Sequence, residues 1–538
     1  LDWIFLSGFQ KEVFMLQIKN LSITHKKDLR AILENFSCTL NDGDKAVIIG
    51  EEGNGKSTLL KWIYSPELIE AYAEGRGERI INKERLGHLP QELSAEDRKR
   101  SVYEFFAQEP AFFELSPKEL GRLAGEFHIP KDFFYEERNM GSLSGGEKIK
   151  MQLLRLLMAE PTVLLLDEPS NDIDIETLEW LEERIVSWPH IVLFISHDET
   201  LIEKTANMII HLEQIRRKTQ SRYTVVHMPY TRYIRERREG LERQERLALN
   251  ERREKKIRDE KYQRIYQRVE HEQAVITRQD PHGAQLLKKK MHAVKSMEKR
   301  FAKEDEKMTQ RPEEESAIFF QLGQKDAKVP AGKTVLDYLL KELYTPDYTR
   351  LLARDIRLFL RGSEKIGIIG RNGIGKTTLL RRIAEELLAR TDLHAEYMPQ
   401  NYEELLDALM TPAEYLSRSG DKEERTRIRT FLGSLKYTPD EMDHPIAELS
   451  GGQKAKVLLL KMSLSGANVL VLDEPTRNFS PLSGAVIRQM LAAFPGAVIS
   501  ISHDRKYIDE VCDTVYRFTE EGLRKEEGMG RKRESLWD

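Results

Sequence analysis

Two kinds of hydrophobic pattern divide the chain. The first is the short, unbroken apolar run: KAVII before Gly50, TVLLL at 162–166, KIGII before Gly370 and VLVL before Asp473. Runs of this length, closed by a glycine or a carboxylate, predict strands buried on both faces, as in the parallel sheet of an α/β protein. The runs at 45–49 and 365–369 each lead through a glycine-rich loop into an amphipathic stretch, which predicts strand, loop, helix. None approaches the roughly 18 apolar residues that would cross a bilayer. The second pattern fills residues 215 to 316. Arg, Lys, Glu, Gln and Leu dominate there, and Gly and Pro are nearly absent until QDPHG at 279–283. It predicts two long antiparallel helices around a tight turn, the first over 230–276 and on the order of 70 Å long.

Internal repetition sets the domain plan. GEEGNGKSTLL at Gly50 returns as GRNGIGKTTLL at Gly370, SLSGGEKIKMQLLRLLM at 142 as ELSGGQKAKVLLLKMSL, VLLLDEPS as VLVLDEPT, and FISHDETLI as SISHDRKYI. Ser144 and Ser450, Asp167 and Asp473, and His197 and His503 are each 306 positions apart. Two copies of one domain are therefore expected, at 15–214 and 317–522. A helical linker is expected at 215–316, an extension at 1–14 and a short tail at 523–538.

Charge changes this picture more than composition does. The whole chain is at −4, yet residues 231–310 carry 23 Lys and Arg against 15 Asp and Glu, which leaves the rest at −12. A basic rod on an acidic body suits contact with nucleic acid phosphates. The competing expectation is a solvated, charge-laced coiled coil. Three features favour RNA: the sign of the charge, the cluster LKKKMHAVKSMEKR, and the interleaved Tyr262, Tyr266 and His292. Candidate contacts are Lys288, Lys289, Lys290, Lys295, Lys299 and Arg300, with Arg278, Gln279 and His282 at the turn. With only Cys38 and Cys512 there is no disulfide framework or metal spacing, which fits a reducing cytoplasm. The first fourteen residues lack a basic n-region and a small-residue cleavage site, which argues against a secretory signal and for a folded start at Met15.

Each repeat carries nucleotide chemistry. In G-x-x-x-x-G-K-[ST], backbone N–H groups at a helix N-terminus wrap phosphates, the lysine reaches the β and γ phosphates, and the hydroxyl ligates Mg²⁺. This assigns ATP contacts to Gly50, Gly53, Asn54, Gly55, Lys56, Ser57 and Thr58, and to Gly370, Gly373, Gly375, Lys376, Thr377 and Thr378. Asp167 and Asp473, at strand ends, would hold Mg²⁺ with Ser57 and Thr377. Glu168 and Glu474 follow directly and would polarise the attacking water, and His197 and His503 would contact the γ-phosphate. A lone Glu or His would be read as a surface charge; matched spacing in both repeats argues otherwise.

The motifs LSGGE (143–147) and LSGGQ (449–453), with the loops above, resemble the ATP-binding cassette family over nearly the whole chain apart from the rod. The resemblance implies an α/β fold of two P-loop cassettes in tandem. Gln91 in LPQ and Gln400 in MPQ would be Q-loop glutamines contacting Mg²⁺ and nucleotide. ATP on one P-loop would be sealed by the signature of the other repeat: Lys56 and Asp167 with Ser450, Gly451 and Gly452, and Lys376 and Asp473 with Ser144, Gly145 and Gly146. Tandem cassettes, a basic helical linker and NDID after DEPS further resemble the ABC-F group. That implies a cytoplasmic monomeric ATPase with no membrane partner. It would bind the bacterial 70S ribosome at the tRNA exit site, near large-subunit RNA, exit-site proteins and P-site tRNA, with the linker directed at the peptidyl-transferase centre.

From Lys56 to Ser144 is 88 positions and from Lys376 to Ser450 is 74, too small a difference for the arm insertion of housekeeping translation factors. DEPTRNFSPLS at 473, with Ser480 where the first repeat has Asp174, is similar to the subset that protects ribosomes from lincosamide, streptogramin A and pleuromutilin drugs. Because that segment reaches across the pair, Ser480 is expected to alter the site of Lys56 and Glu168. The alternatives are a general translation factor, the ATPase subunit of a transporter and a DNA-maintenance ATPase.

Overall fold

A computed structural model describes residues 14–81, 83–171, 173–215, 220–275, 281–305, 308–309, 328–417, 420–435 and 437–531. The chain divides into two units, one comprising residues up to Tyr230 and from Glu315 onward, the other Thr231–Glu314.

In the first unit the short apolar runs form two six-stranded sheets of the same topology. The order is Leu86–Leu89, Val163–Asp167, Ile191–Ile195, Lys45–Ile49, Met208–Ile215 and Gln220–Val226 in the first repeat. In the second it is Ala395–Met398, Val469–Asp473, Ala497–Ile501, Lys365–Ile369, Thr514–Thr519 and Gly522–Lys525. The first five strands of each are parallel and the last is antiparallel. Every residue of the strands leading to the two P-loops and of the strands ending in Asp167 and Asp473 is buried, as expected for parallel strands covered on both faces. An antiparallel sheet accompanies each: Ala31–Asn41, Met15–His25 and Ala73–Ile80 in the first repeat, Thr334–Tyr344 and Leu351–Arg361 in the second.

Two expected boundaries move. The linker does not begin at 215, because Gln220–Val226 returns as the edge strand of the first sheet. Tyr223 and Val225 pack on its core, and the Tyr223 hydroxyl donates to the Asn35 carbonyl at 3.0 Å. The tail does not begin at 523, which lies inside the strand Gly522–Lys525, and Arg531 N still donates to the Cys512 carbonyl at 2.7 Å. The expected extension lies almost wholly outside the described residues; the first strand starts at Met15, whose N–H donates to Glu84. Cys38 and Cys512 are free and buried, and burial pushes both thiols up to about 12.

The second unit holds two helices, Thr231 to Val275 of Tyr230–Val275 and the whole of Pro281–Asp305. They run antiparallel: Arg258 meets Glu304 and Asp305, Lys290 meets Glu272, and Gln273 donates to the Leu287 carbonyl. Val269, Leu287 and Val294 are buried in the seam, and the Tyr262 ring meets Phe301 edge-on at 6.1 Å. Tyr262 therefore takes part in helix packing, and Tyr266 lies beside it on the same helix at 6.2 Å. Pro281 opens the second helix, where its missing N–H has no intrahelical partner to lose, rather than breaking a helix from within. Arg278 and Gln279 lie outside the described residues, as does the side chain of His282. Among the described residues no helix is long and apolar enough to cross a membrane.

Candidate functional site

Each P-loop is built by a strand that stops at a glycine and a helix that starts at the lysine: Lys56–Tyr64 and Lys376–Leu388. Gly55 and Gly375, immediately before the helices, are left-handed at φ 85° and 107°. A methyl group on Gly50 would lie 2.3 Å from the Leu212 carbonyl oxygen, so that turn tolerates no side chain. Lys56 Nζ donates to the carbonyls of Gly50 at 2.8 Å and Glu51 at 3.2 Å; Lys376 Nζ makes the same bonds to Gly370 and Arg371 at 2.8 and 2.9 Å. Both lysines are thus folded over their own loops. Asn54 differs from expectation: its side chain donates to the Leu212 carbonyl at 3.0 Å and is committed to holding the loop.

The strands ending in Asp167 and Asp473 bring a carboxylate to each lysine. Ser57 Oγ donates to Asp167 Oδ1 at 2.9 Å. The other carboxylate oxygen, Oδ2, is buried without a hydrogen-bond partner in both repeats. Burial pushes both acids up to about 6, offset in part by the Ser57 and Thr377 hydroxyls. A buried carboxylate with one oxygen unspent beside a hydroxyl is the donor set a hard cation takes when phosphate oxygens supply the rest, so the residues fit Mg²⁺. Among the described residues no cluster of three or more His, Cys, Asp or Glu could hold a metal by protein ligands alone.

Glu168 and Glu474 share a left-handed backbone, φ 50° and 52°, costly for a non-glycine residue and set identically in the two repeats. Their surroundings differ. Glu168 Oε1 lies 2.9 Å from His197 Nε2, and Oε2 accepts from His197 N at 3.1 Å. Glu474 accepts from His503 N at 3.3 Å, and the ring nitrogen stands off at 3.8 Å. Burial and the charge of Lys376 push His503 down to about 3; at His197 burial is outweighed by Glu168, and its proton is held more tightly than usual. Burial and Asp473 together hold Glu474 well above the usual carboxylate range.

The signature serines are N-caps. Ser144 opens Gly145–Met158 and Ser450 opens Gly451–Ser465, each in a reciprocal capping box with the fifth motif residue, Glu147 or Gln453. LSGGE and LSGGQ therefore build two stiff helix N-termini, which favour anions.

The two repeats meet head to tail. A cavity of about 510 Å³ is lined by Lys376, Thr377, Gln400, Asp473 and Glu474 of the second repeat together with Ser144 and Gly145 of the first. Across the other seam a methyl group on Gly452 would touch Glu52 of the first P-loop, and Ser480 N donates to Glu52 Oε1 at 3.0 Å. The cavity thus brings Lys376 and Asp473 together with Ser144 and Gly145, and Glu52 brings the first P-loop against Gly452 and Ser480. Gln91 is exposed, whereas Gln400 faces the cavity. On the rod, Lys288, Lys289, Lys295 and Lys299 are exposed; Lys290 pairs with Glu272, and Arg300 lies over Phe301 near Glu304.

Glu52 belongs to no motif, and its one signal in the sequence is that the aligned position in the second P-loop is Asn372.

The chain matches the ABC transporter family over residues 33–171 and 353–477. It is 28% identical to the ATP-binding protein YdiF of Bacillus subtilis (strain 168), over 94% of this chain and 80% of that protein. It is 26% identical to the ribosome protection protein VmlR of the same organism, over 94% of this chain and 87% of that protein. In fold it is similar to the archaeal ribosome recycling factor aABCE1, solved in complex with the ribosomal stalk protein aP1, with a TM-score of 0.56, 18% identity, and coverage of 94% of this chain and 89% of that one.

Proposed function

We propose that the chain is a tandem ATP-binding cassette ATPase of the ABC-F group that acts on the bacterial ribosome as a nucleotide-driven clamp and protects it from antibiotics. The observation that carries the clamp is the cavity in which Ser144 and Gly145 of one repeat face Lys376 and Asp473 of the other. ATP on a P-loop would place its terminal phosphate against the opposite signature helix, whose first N–H groups would seal it. Lys56 and Lys376 would leave their loop carbonyls for the phosphates. Ser57 with Asp167, and Thr377 with Asp473, would hold Mg²⁺, which neutralises phosphate charge when bound. Glu168 and Glu474 would orient the attacking water, and His197 and His503 position those carboxylates.

The ribosome as partner is supported by the match to VmlR across almost the whole chain and by the exposed lysines of Pro281–Asp305. We place the protein in the cytoplasm, at the tRNA exit site, with the expected turn at 277–285 directed at the peptidyl-transferase centre. Protection against lincosamide, streptogramin A and pleuromutilin drugs is the finer reading, and it rests on the TRNFSPLS segment.

Replacing Glu168 and Glu474 together by Gln tests this reading. The double variant should co-sediment with 70S ribosomes in ATP while the parent cycles off. If it sediments free while folded and nucleotide-bound, the ribosome reading is wrong. Drug susceptibility of a host expressing variants of 278–282 separates protection from general translation: equal protection by all of them returns the reading to a translation factor.

A further inference from the structure

The two seams of the clamp carry their charge on opposite sides. At the seam of the second P-loop the carboxylates belong to the facing repeat. Asp174 caps the helix Ile175–Ser187, Glu176 lies 3.8 Å from Arg371, and the loop itself presents Arg371 and Asn372. At the seam of the first P-loop the facing segment offers Ser480 and Leu482 at those two positions, and the loop presents Glu51 and Glu52. Ser480 has taken over the capping role of Asp174: its Oγ accepts from Ser483 N at 3.2 Å, and the side chain is 1% exposed. The carboxylate missing from that segment is found across the seam on Glu52, which accepts from Ser480 N and lies against Gly452 in the opposite signature.

A terminal phosphate held by Lys56 and sealed by the signature helix would need the space beside Gly452. We propose that Glu52 is the specificity-determining residue of the first site: its carboxylate takes the anion position at the signature of the second repeat, so this site closes over a nucleoside diphosphate and resists a triphosphate. The inference rests on the clamp reading above and deepens it. The physical cause is like charge. A carboxylate within a few ångströms of a phosphate, in a half-buried seam of reduced dielectric, disfavours the more highly charged nucleotide. The diphosphate ends one phosphate earlier, leaving Glu52 in its contacts with Ser480 and Gly452. The second site has the uncharged Asn372 at the aligned position, and the facing signature glycine, Gly146, meets the Thr177 hydroxyl rather than a carboxylate.

The test uses the full chain with Lys376→Ala to silence the second P-loop. Fluorescent N-methylanthraniloyl ADP and the matching non-hydrolysable imido-triphosphate are titrated with Mg²⁺ in the absence of ribosomes. With Glu52 present the diphosphate should bind at least about tenfold more tightly, Glu52→Asn should remove that preference, and Glu52→Asp should keep it. Diphosphate binding by each variant reports that it is folded. A preference unchanged in Glu52→Asn overturns the gate, and equal loss in Glu52→Asp overturns charge as its cause. Binding of neither nucleotide by the Lys376→Ala chain would refute the clamp reading itself.

Discussion

Arg488 is the residue whose loss should most weaken the closed pair of cassettes. It projects from Pro481–Ala493 of the second repeat with its side chain 4% exposed. Nη2 donates to Glu199 Oε2 of the first repeat at 2.6 Å, Nε to Glu510 at 2.7 Å, and Asp504 lies 3.8 Å from Nη1. Around it Lys506 reaches Glu199 and Glu203 at 3.3 and 2.6 Å, and Arg505 reaches Glu182 and Asp198. Three cations of one repeat thus face four carboxylates of the other. Burial alone would weaken the Arg488 charge, but Asp504 and Glu199 outweigh it and its proton is held more tightly than usual.

In Arg488→Met the Glu199 carboxylate stays buried and loses its strongest partner. Removing one member of a buried pair costs about 3–5 kcal/mol, and the surviving Lys506 contact brings the expectation to about 3 kcal/mol. Glu510 adds little, because it is half exposed and water replaces its partner. The penalty falls on the closed state, which makes the contact, so closing should need on the order of a hundredfold more ATP. Fluorescence transfer between dyes on cysteines introduced at the exposed Leu68 and Leu409 reads closure, and the two buried native cysteines leave the labelling clean. The double change Arg488→Met with Glu199→Gln removes the stranded charge and should recover much of the loss. If the two substitutions simply add, the pair does not couple the repeats and the argument fails.

Two further predictions concern pH and salt. His88 stacks on Tyr64 with its ring nitrogen Nε2 buried and unpartnered, and burial, helped by Lys61, pushes it down to about 4. Its folded pKa is below the unfolded one, so the unfolded chain takes up the proton first. Stability is full above about pH 6.5 and falls as pH drops toward 4, by up to about 3 kcal/mol. His88→Phe should flatten this part of the urea-midpoint profile, and an identical profile would refute it. Lys288→Glu with Lys289→Glu should weaken ribosome binding and lower its salt slope by roughly 2, whereas Lys290→Glu should do less because Glu272 already pairs with it. Equal binding at every salt concentration would return the rod to a solvated coiled coil.

The P-loops, the carboxylate-ending strands and the signature helices were legible because each motif occurs twice in the same strand, loop and helix setting. The seam was not. It depends on which side chains of sequence-distant segments meet, and a carboxylate such as Glu52 looks like any surface charge until Gly452 and Ser480 are seen against it. The strand Gln220–Val226 was missed for a different reason: it sits just after RRKT, whose composition matches the rod, and only its alternating inward Tyr223 and Val225 betray it. A break was expected at QDPHG, yet Pro281 opens the helix Pro281–Asp305, because a proline that breaks a helix from within also begins one well.

The two ATP sites should not turn over equally, and two independent pieces of geometry point the same way. In the first site Glu168 Oε2 accepts from His197 N and the ring nitrogen lies 2.9 Å from Oε1, which crowds the approach of a water to that carboxylate oxygen. In the second site the His503 ring stands 3.8 Å from Glu474, beyond hydrogen-bond distance, so that oxygen is not held by the ring. The first site also carries Glu52 at its seal, whereas the second carries Asn372. The second site is thus expected to hydrolyse and the first to hold its nucleotide. Steady-state ATPase should then fall more than about tenfold in Glu474→Gln, a loss typical of removing a group that orients the nucleophile, and less than about threefold in Glu168→Gln. Equal losses would mean that the two carboxylates work in equivalent sites, and that neither the histidine contact nor the exchanged carboxylate affects turnover.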